Sequence, residues 1–263
     1  MPQDYTREIR MTEQQFHTAA IWFGFASAAI MFIFLLFFTA PYGRHVRAGW
    51  GPTLPNRAGW ILMETAAVFS ILYFFFTALN GPIRMMWIFL LIWEIHYLYR
   101  TYVFPFTLRD TGKRMPVTII VSGIAFNVFN GYLNGRHLAW NAGLYTSAWF
   151  ADLQFLAGTA LFFTGLGINI HSDRILIALR GDGSTGYKIP RGGLYRWVSC
   201  PNYLGEVVEW TGWAILTWSP AGLVFAIWTA ANLVPRALSN HQWYKQKFPE
   251  YPHERKAILP YTL

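Results

Sequence analysis

Seven long apolar stretches dominate this chain, at roughly residues 15–40, 59–79, 83–106, 117–138, 148–170, 203–220 and 221–238. Each is close to the ~20 residues that cross a hydrocarbon core of ~30 Å. Segments of that length and composition fold as helices in a bilayer, because a helix satisfies every backbone polar group within its own segment. If all seven cross, the 21 Lys and Arg divide into 17 on one side and 4 on the other. Basic residues gather in cytoplasmic loops, so the N-terminus is expected outside or in a lumen and the C-terminus in the cytoplasm. Termini on opposite sides require an odd number of spans, and seven satisfies this.

The fold class expected is therefore all-α and integral to a membrane, either the bacterial inner membrane or the endoplasmic reticulum. A net charge of +8 would also suit nucleic acid. The basic residues lie in short loops between apolar spans, where they meet anionic lipid headgroups, so no nucleic-acid partner is expected. The single cysteine, Cys200, excludes an internal disulfide and a cysteine-based zinc site, and no metal site is expected. The first stretch is long and lacks a small-residue cleavage site, so it reads as a retained helix. No linker or repeat marks a second domain, so residues 1–263 read as one membrane domain with no obligate protein partner evident.

Gly181, Gly183 and Gly186 match the spacing of a dinucleotide-binding loop. That loop requires a strand before it and a helix after it. Here residues 174–180 read as helix and 187–193 as a turn, so the segment reads as a flexible Gly/Ser loop.

Polar residues within the spans carry more information, because each is costly in hydrocarbon and tends to face a cavity or a partner. Glu64 lies seven residues beyond Arg57, ~10 Å deep at a rise of 1.5 Å per residue. Trp60, Ile61, Val68 and Ile71 share its helical face with no cation within a turn, so a neutral, hydrogen-donating carboxyl is expected there. Glu94, Tyr97 and Arg100 end the third span. Asn169, His171 and Asp173 end the fifth, and Asn202, Glu206 and Glu209 begin the sixth. Asn232 and Arg236 end the seventh, with Asn240, His241 and Tyr244 just beyond it. These helices gather polar groups at one membrane face, which implies a pocket open to the cytoplasm. Pairing at the interface and snorkelling of single side chains is the plainer account of each residue taken alone.

The segments 167–173 (GINIHSD), 189–195 (IPRGGLY) and 202–210 (NYLGEVVEW) resemble those of the steroid 5α-reductase family, and the closing residues 247–260 resemble that family's C-terminus. In the N-terminal half, residues 42–45, 60–64 and 96–101 resemble the corresponding family segments. The resemblance, to what is expected to be a bacterial-type member, implies seven transmembrane helices. It also implies a substrate half at about 1–147, an NADPH half at about 148–263, and hydride transfer to a 3-oxo-Δ4-steroid. Carried over by position, Glu64 and Tyr97 are the catalytic residues, hydrogen-bonding the 3-keto oxygen. The cofactor set it implies is Asn169, Asp173, Arg180, Asn202, Glu206, Trp210, Arg236, His241 and Tyr244, with Tyr42, Gly43 and Arg114 closing from other loops. Arg114 lies within a segment, residues 105–115, about two residues longer than the family pattern, and Asn240 stands where a histidine is possible.

Two alternatives stand beside this reading. One is NADPH-dependent reduction of another enone or enoyl lipid, such as a trans-2-enoyl thioester or a polyprenol-like molecule. The other is a seven-helix transporter or receptor, for which polar residues near the bilayer midplane in related halves would be expected.

Overall fold

The computed structural model describes residues 11–41, 43–45, 47, 49–79, 85–108, 112–179 and 186–263. Its main helices are α1 (Glu13–Phe37), α2 (Asn56–Phe76), α3 (Met86–Leu98), the short α4 (Phe104–Thr107), α5 (Val117–Trp140), α6 (Leu153–Ala178), α7 (Pro201–Thr217) and α8 (Pro220–Lys247). Five of these, α1, α2, α5, α6 and α8, are long and apolar enough to cross a membrane. A wide π turn, Tyr99–Val103, joins α3 to α4 so that the helical path continues to Thr107. The expected spans thus coincide with helical segments, but α6 and α8 run on for several residues beyond the apolar limits of 170 and 238. Helical hydrogen bonding does not stop where the hydrocarbon does.

Local chemistry sets the ends. Thr12 and Gln15 cap α1 reciprocally, with Thr12 Oγ1 accepting from the Gln15 amide at 3.2 Å and Gln15 Oε1 accepting from the Thr12 amide at 2.9 Å. Trp218 adopts a left-handed conformation (φ 46°) and Ser219 accepts from the Gly222 amide at 2.9 Å, which closes the α7–α8 hairpin just ahead of Pro220. Two three-residue strands, β1 (Thr53–Pro55) and β2 (Arg114–Pro116), pair antiparallel with Leu54 opposite Met115. Each leads directly into a helix, so this ladder pins the starts of α2 and α5 side by side.

Much of the outer surface is apolar. Trp22, Phe23 and Phe37 on α1, Phe69 and Tyr73 on α2 and Leu153 on α6 are all exposed, the pattern of a lipid-facing surface rather than a water-facing one. The core lies between helices and centres on Trp93, Trp210, Trp213 and Phe225, whose rings meet at 4.1–5.4 Å. Helix α6 packs on α7 through glycines spaced seven apart on both, Gly158 and Gly165 against Gly212 and Gly205. A Cβ at Gly205 would stand 2.6 Å from the Asn169 backbone nitrogen. Without side chains between them the two backbones touch, as in small-residue seams of membrane helices. Gly131 and Gly135 on α5 do the same against α2, where a Cβ at Gly135 would meet the Ile71 carbonyl oxygen at 2.8 Å.

Candidate active site

The α6–α7 seam aligns the polar ends of those helices, and Arg100 from the π turn reaches into them. Arg100 Nη1 donates to Asp173 Oδ2 at 3.1 Å, and Nη2 lies 4.0 Å from Glu206 Oε2. The guanidinium sits over the rings of Phe104 and Trp60, at 4.5 and 4.7 Å, while Trp60 Nε1 donates to the Arg100 carbonyl at 3.1 Å. Asp173 Oδ1 accepts from Asn202 Nδ2 at 3.1 Å, and Asn169 Nδ2 donates to the Asn202 carbonyl at 3.0 Å. Asn169, Asp173, Asn202 and Glu206 therefore share one network, with Arg100 as its hub. One turn earlier, His96 Nδ1 pairs with Glu209 Oε1 at 2.7 Å. The sequence left both His96 and Arg100 unassigned, since each partner is distant along the chain.

Glu64 and Tyr97 face this network from α2 and α3. Glu64 is lone only along its own helix. In the fold Arg100, His96 and Glu206 act on it electrostatically, and the Asn127 side chain is within hydrogen-bonding reach. The Tyr97 ring packs against both Trp93 and Trp210, at 5.0 and 5.6 Å, and Glu64 is among the charges acting on its hydroxyl. Trp210 thus meets Tyr97 and Phe225 in the aromatic core beside the network.

A second region opens beside it, a cleft of about 180 Å³ open to solvent, whose lining includes Arg44, His45, Lys113, Tyr187, Arg236 and Asn240. Its basic side chains suit an anion, and its phenols and amides offer the mixed contacts that a nucleotide needs. Arg44 is held over the rings of Tyr244 and Trp243 at 4.6 and 4.9 Å. Arg236 lies over Tyr203 at 5.8 Å. His45 Nε2 lies 3.0 Å from Asn240 Oδ1, and burial lowers the His45 pKa against the opposing effect of that bond, which leaves its ring neutral near pH 7. The Tyr195 hydroxyl points to the Ser172 carbonyl at 3.5 Å, and Asp173, Tyr244 and Arg44 all act on it electrostatically. Burial holds its phenol well above the usual range.

The remaining expected site residues fall in several places. His241 Nδ1 is 2.6 Å from Ser199 Oγ, which also meets the Tyr251 hydroxyl at 2.6 Å. Gly43 opens the short 3-10 turn that carries Arg44 and His45. Arg114 turns away from the cleft, donating to Thr53 Oγ1 at 2.8 Å and to the Thr53 carbonyl at 2.6 Å, while its neighbour Lys113 faces Tyr187 at 3.2 Å. Tyr42, Arg180 and residues 181–185 of the glycine loop lie outside the described residues. Among the described residues no cluster of metal-ligating side chains occurs.

Residues 113–263 match the family model of 3-oxo-5-alpha-steroid 4-dehydrogenase. A steroid 5-alpha-reductase of Solanum lycopersicum is 41% identical over 245 residues, covering 92% of this chain and 95% of the relative. A 3-oxo-5-alpha-steroid 4-dehydrogenase 1 of Bos taurus is 40% identical, covering 90% and 93%. The human counterpart is 41% identical, covering 84% and 85%. These relatives come from plants and mammals and give no support to the bacterial-type expectation. With a family model over more than half its length and full-length relatives at this identity, the chain belongs to the steroid 5α-reductase (3-oxo-5α-steroid 4-dehydrogenase) family of oxidoreductases.

Proposed function

We propose that this protein reduces the Δ4 double bond of 3-oxo-Δ4-steroids to 5α-dihydro products within a membrane, using NADPH bound from the cytoplasmic side. The observation that carries this is the pairing of two environments: a half-buried Glu64 acting on Tyr97 in the aromatic core, and a cationic cleft beside it. The helical path Met86–Thr107 and α7 add to the five long apolar helices to give seven spans, with the N-terminus outside or lumenal. The half at about 1–147 forms the substrate pocket and the half at about 148–263 holds the cofactor, together one membrane domain with no protein partner required.

The chemistry follows from hydrogen-bond donors set where charge develops. NADPH supplies a hydride to C5 when bound. Tyr97 and a protonated Glu64 donate to the 3-keto oxygen, stabilising the enolate charge that grows there, and a proton taken up at C4 balances the reduction. The tilted rings of Trp93 and Trp210 pack against the phenol and hold it in place. Arg44, Lys113 and Arg236 would hold the phosphate groups of the nucleotide, and Asn169, Asp173, Asn202, Glu206 and Trp210 would hold its reactive end.

The deciding experiment is NADPH oxidation by purified, detergent-solubilised protein with and without testosterone or progesterone, the product being identified by mass and stereochemistry. A 5α-dihydro steroid is the expected product. NADPH binding without steroid turnover would move the substrate to another enone or enoyl lipid, and absence of NADPH binding would overturn the assignment.

A further inference from the structure

Three asparagines on one face of α5, Asn127, Asn130 and Asn134, are 5%, 2% and 1% exposed. Asn127 is accounted for, since its Nδ2 donates to the Met63 carbonyl at 2.9 Å. The other two form a chain whose polarity is fixed at its far end. Trp213 Nε1 lies 2.9 Å from the Asn134 side chain. An indole N–H can only donate, so the Asn134 oxygen must face it and the Asn134 amide must face away. That amide donates to Asn130 Oδ1 at 2.9 Å and to the Asn130 carbonyl at 3.1 Å. Asn130 is thereby oriented too: its oxygen is taken and its Nδ2 points onward. Asn130 Nδ2 is buried and closes no hydrogen bond of ordinary geometry, and the Asn130 side chain is among the groups acting on the Tyr97 hydroxyl.

We infer that Asn130 is a positioning residue for the reaction, donating to the Tyr97 oxygen so that the phenol's single proton is aimed at the carbonyl oxygen of the substrate. The inference rests on the functional reading above and adds to it a reason why Tyr97 acts as a donor. A phenol can accept or donate. With Trp213, Asn134 and Asn130 all donating in one direction, one acceptor position on the Tyr97 oxygen is filled from within the chain, which biases its O–H toward donation to the substrate. Each donor in such a chain also polarises the next, so the terminal O–H is a stronger donor than an isolated phenol. The site so built discriminates by chemistry: it favours a substrate presenting a carbonyl oxygen at that point and disfavours one presenting a hydroxyl donor or a methyl group.

The test compares Asn130→Leu and Asn130→Asp with wild type for steroid turnover, NADPH affinity and thermal stability across a pH range. Leucine removes the donor, and kcat is expected to fall ~10- to 100-fold with NADPH affinity within twofold, by analogy with loss of a donor in an oxyanion site. Aspartic acid is isosteric and, while protonated, keeps one acceptor for Asn134 and one donor for Tyr97. Its kcat relative to wild type is expected to rise as pH falls. The charged and titratable groups acting on or packed against Tyr97 are Glu64 from α2, His96 from α3, and Glu206 and Glu209 from α7, and these act in wild type as well, so the ratio isolates position 130. Leucine activity within twofold of wild type would overturn the proposal. So would equal, pH-independent loss in both variants, which would mark Asn130 as merely structural. If leucine does not fold, the pH dependence of the aspartate variant decides alone. Failure of wild type itself to reduce any 3-oxo-Δ4-steroid would overturn the functional reading, and this inference with it.

Discussion

His96 Nδ1 and Glu209 Oε1 stand 2.7 Å apart in the bundle interior, with their side chains 4% and 0% exposed. The other carboxylate oxygen, Glu209 Oε2, has no hydrogen-bond partner. Separating two such groups leaves a buried charge unpaired, which costs about 3–5 kcal/mol. His96→Ala is therefore expected to destabilise strongly. Thermal unfolding in a single detergent checks this, and an unchanged midpoint would refute the view that the pair ties α3 to α7.

Residues of the aromatic site and of the cationic cleft should separate in kinetics. Glu64→Gln and Tyr97→Phe are expected to lower kcat by ~100-fold or more, as donors lost from an oxyanion site do, while NADPH affinity stays near wild type. Arg236→Ala and Lys113→Ala should instead weaken NADPH binding, each by ~10-fold or more, with little change in kcat at saturating cofactor. Fluorescence titration of NADPH alongside steady-state kinetics distinguishes the two classes. Equal loss of cofactor affinity in all four variants would contradict the division.

Two glycines two residues apart on α6 should respond oppositely to alanine. At Gly165 a Cβ would stand 2.5 Å from the Gly205 carbonyl oxygen, whereas at Gly167 nothing lies within 4 Å. Gly165→Ala is expected to cost about 1–3 kcal/mol or more through overpacking against backbone that cannot yield. Gly167→Ala should be neutral or stabilising by up to ~1 kcal/mol from helix propensity. Comparing unfolding midpoints of the two variants is sufficient.

Cys200 should be inert in the folded protein. Burial pushes its thiol up to about 11 from an ordinary value near 9, with Arg44 and the hydrogen bond from Asn240 only partly opposing. The folded state then holds a proton that the unfolded state releases, so this contribution is complete below pH 9 and is lost as pH rises from there toward 11. A thiol reagent at pH 8 should react only after denaturation. Cys200→Ser should flatten the alkaline decline in stability.

The helical character of the apolar stretches and a polar convergence at one end were legible because apolar length and polar depth are local properties of the sequence. The pairing of Arg100 with Asp173 was not, since it joins residues 73 apart and depends on the π turn that redirects Arg100. Arg114 shows the limit most clearly. Side chains alternate in an extended segment, so one position decides whether a side chain faces the cleft or the other way. Lys113 faces Tyr187 and Arg114 faces Thr53 for that reason, and no feature of the sequence fixes which. Arg44 and His45 lay within a segment already singled out, but their roles depend on Tyr244 and Asn240 some 200 residues away.

The glycine seam of α6 and α7 also bears on access. Where two backbones touch there is no gap for side chains to open, and a lipid-borne molecule cannot slip between them without prising apart main chain. The pair behaves as one stiff wall. Any passage from the bilayer to Tyr97 must therefore run along a boundary held by side chains, such as that between α2 and the π turn. There Thr65 Oγ1 and the Tyr102 hydroxyl meet at 3.3 Å on the exposed face. A contact of that kind opens by rotamer change alone.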